Sequence, residues 1–137
     1  MCFVLGMTNR DDPERMRWAR LVFKRAERIA TLQPGNAAPL SRGAVALAFL
    51  GDAKRATSWI VRALTIDPDD LTTQYNAAAV YSIVGELDTA MHILEAYMQR
   101  VADDMIDVIR HEGCLERIRD HPRYEELFPL GLYVCEQ

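Results

Sequence analysis

The chain has 137 residues, of which 50% are hydrophobic and 26% charged, and its net charge is −4. A chain of this length and composition predicts one globular domain with a buried core. The acidic balance argues against non-specific binding to nucleic acid. The basic residues that cluster, such as Arg15 and Arg17, stand beside Asp12 and Glu14. They therefore indicate a solvated helix face rather than a stripe that binds phosphates.

The opening segment, Met1 to Met7, is apolar and is followed by charge at Arg10. It has no basic residue before the apolar run and is too short for a signal peptide or a membrane span. We expect it to pack on the rest of the domain. The three cysteines, Cys2, Cys114 and Cys135, have no CxxC spacing. Their number and spacing argue against a disulfide framework and favour a cytoplasmic location. The short apolar segment gives no reason to expect a membrane partner.

The first helix is predicted from Pro13 to about Leu32. Asp11-Asp12-Pro13-Glu14 combines an acidic cap, a proline in the first turn and an acid where the helix dipole favours one. Apolar residues then recur at helical spacing as far as Leu32. Gln33-Pro34-Gly35-Asn36 ends the helix.

Two helix pairs are predicted next. The first pair comprises 37–50 and 53–66, with a turn at Gly51-Asp52, and Asp67-Pro68-Asp69-Asp70 separates it from the second pair. The second pair comprises 71–84 and 87 to about 101, with a turn at Gly85-Glu86. Each turn glycine stands where the chain must leave a helix in the left-handed conformation.

The two pairs are copies of one pattern with a period of 34 residues. Small residues and turn residues of the first pair return in the second, as Ala44, Gly51 and Ala56 return in Ala78, Gly85 and Ala90. Small side chains at these positions indicate close approach of two helices. The pattern ends where Tyr97 replaces the expected alanine and Ala102 the expected proline. It is incomplete before residue 37, because Arg17 stands at the place of the turn glycine.

The tail is predicted to form a helical cap. Residues 103–110 have the pattern of a short amphipathic helix, which Gly113 ends. A last helix is predicted from Pro122 to Phe128. Leu115 and Ile118 supply apolar contacts, and His121 caps the last helix. A helical array needs such an atypical terminal unit to cover its last apolar face.

A 34-residue period with these small residues resembles the tetratricopeptide repeat family. The resemblance implies an all-α fold of antiparallel helix pairs stacked as a right-handed superhelix. Residues 1–36 would be a degenerate repeat or N-terminal cap, 37–70 and 71–102 two repeats, and 103–137 capping helices and tail. It also implies a protein–protein interaction scaffold.

The ending is a second resemblance. Gln74 to Ser82, Gly85 and Leu115 to Tyr124 are similar to the C-terminal repeat region of certain bacterial proteins. Those proteins join such repeats to an adenylate cyclase domain, a winged-helix regulator or a protein kinase. The resemblance implies a regulatory tail in signalling. The chain lacks a cyclase's paired metal-binding aspartates and a kinase glycine loop, so no such activity is expected of it.

The family resemblance places a concave groove along the first helix of each pair. Helical spacing puts six residues of this chain there, which we expect to contact a peptide or a partner domain: Ser41, Val45, Tyr75, Asn76, Ala79 and Ser82. Asn76 stands where an asparagine of chaperone-tail clamps stands, but the lysines of such clamps are missing. Asn76 could instead hydrogen-bond a neighbouring backbone group.

The alternative function is an oligomerisation or packing module. Met91, Met98 and Met105 recur every seven residues, a pattern that belongs more often to a core than to a cofactor site. If exposed, this stripe or the N-terminal apolar segment would be the interface of a homo-oligomer.

No catalytic residue, cofactor or metal is expected. His111 and Cys114 have a suggestive spacing but lack a second pair of ligands. The aspartates of 67–70 lack the glycine and distal glutamate of a calcium loop, and helix capping explains them. Glu112 and the Glu125-Glu126 pair have no partner group at a defined distance.

Overall fold

The structure, a computed structural model, describes residues 12–128. All of the secondary structure in this range is helical, and eight segments follow one another along the chain. They are α1 (Pro13–Leu32), α2 (Ala37–Phe49), α3 (Ala53–Ile66), α4 (Leu71–Val84), α5 (Leu87–Met98), α6 (Met105–His111), a 3₁₀ helix (Gly113–Asp120) and α7 (Tyr124–Leu127). The all-α prediction is therefore confirmed. The predicted segment Met1–Met7 lies outside the described residues.

Helices α2 and α4 lie at the centre of the fold. Helix α2 packs against α1, α3 and α4, and α4 packs against α2, α3, α5 and the 3₁₀ helix. Eleven of the thirteen residues of α2 are buried. A helix that is apolar around its whole circumference must be covered on all sides, and α2 has Arg42 as its one charged residue. The core therefore surrounds the first helices of the two pairs.

The small residues of the repeat lie where the helices meet, as predicted. Five alanines at these positions have no exposed surface: Ala44, Ala56, Ala63, Ala78 and Ala90. Ile60 and Leu94 occupy equivalent places in the two pairs and are also fully buried. A larger side chain at any of these alanines would force the helices apart, because the interior is close-packed.

The two turns share their backbone geometry. Gly51 and Gly85 have φ of 91° and 92°, in the left-handed region that glycine enters without steric cost. In the first turn the N–H of Asp52 donates to the carbonyl of Leu47 at 2.9 Å, and in the second Glu86 donates to Tyr81 at 2.8 Å. This is the Schellman bond that satisfies a free carbonyl at a helix end. The 34-residue period thus extends from residue types to hydrogen bonds.

Helix α1 is one uninterrupted helix that packs on α2. An aromatic contact joins α1 to α3: the rings of Phe23 and Trp59 are 5.2 Å apart, and Trp59 also lies against Gly43 of α2. A Cβ at Gly43 would stand 2.5 Å from a ring carbon of Trp59. Gly43 therefore makes room for an indole that joins the second helix of one pair to α1.

The C-terminal boundaries differ from the prediction. Helix α5 ends at Met98 rather than near Val101, and α7 begins at Tyr124 rather than Pro122. After α5 the N–H of Arg100 turns back to the carbonyl of Tyr97 at 2.9 Å. Without a proline or a capping side chain, apolar periodicity alone marks a helix end poorly. Within residues 12–128, no helix has both the length and the apolar character that a membrane crossing requires.

Candidate functional site

The six predicted groove residues lie together in the interior. Each is at most 2% exposed: Ser41, Val45, Tyr75, Asn76, Ala79 and Ser82. The expectation that they line an open groove therefore needs correction for this conformation. Its physical reason is that α2 has only Ser41 and Arg42 as polar residues and α4 has no charged residue, so neither helix has a charged face suited to water. Whether these residues contact a partner stays a prediction.

Two of these residues join α2 and α4 through a hydrogen bond. The side-chain amide of Asn76 donates to Ser41 Oγ at 3.2 Å, and Ser41 Oγ donates to the carbonyl of Ala38 at 3.1 Å. Asn76 therefore bonds a neighbouring side chain rather than a backbone group. Asn76 Oδ1 and Ser82 Oγ are buried without a hydrogen-bond partner. Leaving such atoms unpaired costs stability.

Tyr75 lies under the C-terminal cap. Its ring meets Tyr97 edge-on at 5.5 Å between centroids, and its hydroxyl donates to Glu112 Oε2 at 3.5 Å. Burial and the nearby Glu112 carboxylate raise the pKa of the Tyr75 phenol, and burial raises that of Tyr97. Both phenols therefore stay neutral and serve as packing groups. Tyr97, which stands in place of the alanine expected from the pattern, thus packs on Tyr75 of α4, and Tyr75 in turn bonds Glu112 before the 3₁₀ helix.

The methionine stripe is not one exposed helix face. Met91 is in the core, and Met98 and Met105 are half-buried and packed against it. Met98 ends α5, whereas Met105 begins α6. The core interpretation applies to Met91, and an interface at the half-buried Met98 and Met105 stays a prediction.

Residues of the tail motif fasten the cap to the second helix pair. Arg117 donates to the carbonyl of Ile83 at 2.9 Å, close to the turn at Gly85. Arg123 holds Glu95 with two bonds, at 2.9 and 3.1 Å. Leu115 and Ile118 are fully buried, as predicted. The motif thus has a structural role, because it holds the cap on the second helix pair.

His121 connects the cap to α5 with both ring nitrogens. Its Nδ1 accepts the N–H of Arg123 at 3.1 Å, so the neutral ring carries its proton on Nε2 and donates it to Asp88 at 2.7 Å. The bond to Arg123 lies just before α7. The bond reaches the N–H of the residue before the first residue of α7 and none of the helix's own N–H groups, so the predicted capping role of His121 stays a prediction.

The pKa of the Glu95 carboxyl is lowered, first by its hydrogen bonds from Arg123 and then by that cation's charge. Because the pKa of Glu95 is lower in the folded protein than in the unfolded chain, where it is about 4.3, ionised Glu95 stabilises the folded protein at pH values above about 4.3. This stabilisation is lost as the pH falls through the lower pKa of the folded protein. Glu95→Gln should therefore lower the urea midpoint at pH 7 and have little effect at pH 3. Glu116→Gln, on an exposed residue of the 3₁₀ helix, is the matched control. An equal Glu95→Gln effect at both pH values would contradict the proposed pH linkage.

Cys114 is buried in the hydrophobic core, and Cys2 and Cys135 lie outside the described residues. The expectation that the chain has no disulfide framework therefore stays a prediction. Within residues 12–128, no cluster of three or more His, Cys, Asp or Glu has the geometry to hold a metal ion. His111 instead lies against the carbonyl of Asp107 at 2.8 Å, in its own helix.

An open groove between α1 and α2 was missed by the repeat pattern. It has a volume of about 350 Å³, and its walls include Val22 and Ile29 from α1 and Ala38 and Pro39 from α2. Arg25 and Arg42 stand on opposite sides of it, one on each helix. The available signal was the surplus of apolar residues on α1, which exceeds what one buried stripe requires.

Comparison with protein-family models, curated proteins and solved structures found no match to this chain. The tetratricopeptide resemblance therefore depends on the residues and turns described above. What the structure establishes is an all-helical domain in which two helix pairs have equivalent turns and equivalent core alanines.

Proposed function

We propose that this chain is a non-catalytic scaffold that binds a peptide or a partner domain, built as a tetratricopeptide-like right-handed superhelix. The observation that supports it is the equivalence of the two helix pairs. Gly51 and Gly85 have φ values one degree apart, and their Schellman bonds join the same repeat positions. Stacked pairs of this kind bury one face against their neighbours and leave others for partners.

Partner contact belongs on the exposed faces of this scaffold. Because the predicted groove residues are at most 2% exposed, they would meet a partner only after the helices around them separated. The described chain instead exposes large apolar side chains on α1, α3 and α6, including Leu21, Val61 and Val108. On α1 several of these residues stand on one helix, and exposed apolar groups that lie together are typical of interaction surfaces.

We further propose that the partner belongs to a bacterial signalling system. The motif residues Arg117, Ile118 and His121, which resemble the ending of cyclase, winged-helix and kinase repeat proteins, support this by acting together in the cap. The partner would then be a catalytic or DNA-binding domain that this chain regulates. Co-expression with the products of adjoining reading frames, followed by co-purification, is the direct test of this part.

Site-specific photocrosslinking tests the scaffold itself. A photoreactive amino acid would replace Leu21, Val61 or Val108, one at a time, in the cells that make the protein. These residues are 37–48% exposed and lie on three different helices. We expect a discrete adduct with one other protein from one position and none from the other two.

Two results would overturn the scaffold proposal. No adduct from any of the three positions would show that these faces have no stable partner. An adduct between two copies of this chain would favour the oligomerisation module instead. Light scattering over a concentration series would then give the stoichiometry.

A further inference from the structure

The outer side of α1 is an apolar surface without a partner in the described chain. Trp18 and Leu32 are 54% and 72% exposed, and Leu21 and Ile29 lie between them with more than 40% exposed. The spacing of these four residues places them on one side of the helix, away from the buried Ala19 and Ala26. We call these four residues the outer stripe. It extends over about 21 Å, or four helical turns.

The outer stripe continues into the open groove between α1 and α2. Ile29 belongs to both, and Val22 and Pro39 extend the apolar surface toward α2. The groove is concave and narrow, with walls on two helices. A ridge of side chains from another helix fits such a surface, because helices pack by placing ridges in grooves.

This surface is basic, although the chain as a whole is acidic. Helix α1 has six basic residues and only two acids, Glu14 and Glu27, whereas the net charge of the chain is −4. Glu27 is already paired with Arg55 at 3.7 Å. Arg25 and Arg42 flank the groove and form no ion pair within residues 12–128. They are available to carboxylates of a partner.

We propose that α1 and the groove bind an acidic amphipathic helix of a partner protein. Its apolar side chains lie on the outer stripe and in the groove, and its carboxylates pair with Arg25 and Arg42. The proposal rests on the scaffold function and names the surface and the chemistry of the partner. A membrane surface is the less suitable occupant, because Arg42 lies across a concave groove from α1, where a flat surface does not reach.

Synthetic peptides of about 18 residues provide the probe. One peptide has leucines at i, i+3, i+4 and i+7 with glutamates beside them, and its counterpart has lysines in place of the glutamates. Fluorescence anisotropy of the labelled peptides measures binding to the full chain. We expect the glutamate peptide to bind at least about tenfold more tightly, and its affinity to fall with added salt, because exposed charge pairs are screened.

Charge reversal locates the surface. Arg25→Glu with Arg42→Glu should weaken the glutamate peptide about tenfold or more and improve binding of the lysine peptide. The matched control is Arg20→Glu with Arg62→Glu, since both residues are exposed, unpaired in residues 12–128 and outside the groove. Circular dichroism establishes that both double variants fold.

Four results would overturn the inference. The first is equal binding of the two peptides, and the second is a loss of affinity in the control variant as large as that in the groove variant. The third is binding of the chain to vesicles of phosphatidylcholine and phosphatidylserine but not to the glutamate peptide, which would assign the surface to lipid. The fourth is binding of neither peptide. If neither peptide binds but residue 61 or 108 captures a partner by photocrosslinking, the scaffold proposal stands and this inference fails.

Discussion

Replacing Ile118 by alanine should lower the free energy of unfolding by about 2–5 kcal/mol. Ile118 is fully buried in the 3₁₀ helix, which packs against both α4 and α5. Removing its outer atoms leaves a cavity at the contact between the cap and the second helix pair. Because the 3₁₀ helix packs directly on α4 and α5, a weakened cap should also weaken these two helices.

Urea unfolding monitored by circular dichroism measures this loss. The matched control is Ile66→Ala, at an isoleucine that is 39% exposed at the end of α3. Its expected cost is well below that of Ile118→Ala, because less apolar surface is returned to water. Amide hydrogen exchange should show that α4 and α5 lose protection before α2. Equal costs for the two variants would mean that the cap contributes no packing to the fold.

The helix pairs could be predicted closely because local signals agreed. Helices α3 and α4 begin and end at the predicted residues. Asp52 and Asp70 cap their first turns, and Gly85 ends α4 in the left-handed conformation. Caps and turn glycines act within a few residues along the sequence, so a single sequence is sufficient to predict them. Where such signals are missing, after Met98, the predicted boundary was wrong.

The binding surface could not be predicted in the same way, because burial is a property of the whole fold. A repeat pattern assigns Ser41 and Asn76 to a concave face, but it does not state what covers that face. The composition of α2 held the better signal, since a helix with one charged residue has no side suited to water. Likewise, the exposed Trp18 and Leu32 differ from buried apolar residues only by their position relative to α2.

The second large effect is expected at Gly43, where alanine should destabilise the protein despite its better helix propensity. Alanine is favoured over glycine inside a helix by about 0.8–1.0 kcal/mol. At Gly43, however, the new Cβ would stand 2.5 and 2.8 Å from two ring carbons of Trp59 and 3.1 Å from the Cβ of Ala26. Relieving such overpacking costs about 1–3 kcal/mol. The clash should outweigh the propensity and lower the urea midpoint.

Gly35→Ala is the matched control, because no atom lies within 4 Å of its added Cβ and its φ is not positive. Alanine at position 35 should be neutral or stabilise the protein by up to about 1 kcal/mol, because alanine lowers the conformational entropy of the unfolded chain. A double-mutant cycle identifies the cause: Gly43→Ala should cost less in a Trp59→Leu background, where the clashing ring is gone. If Gly43→Ala instead stabilises as Gly35→Ala does, Trp59 does not pack on Gly43. The contact between α1, α2 and the second helix of the first pair would then be assigned incorrectly, since Phe23 and Trp59 form its centre.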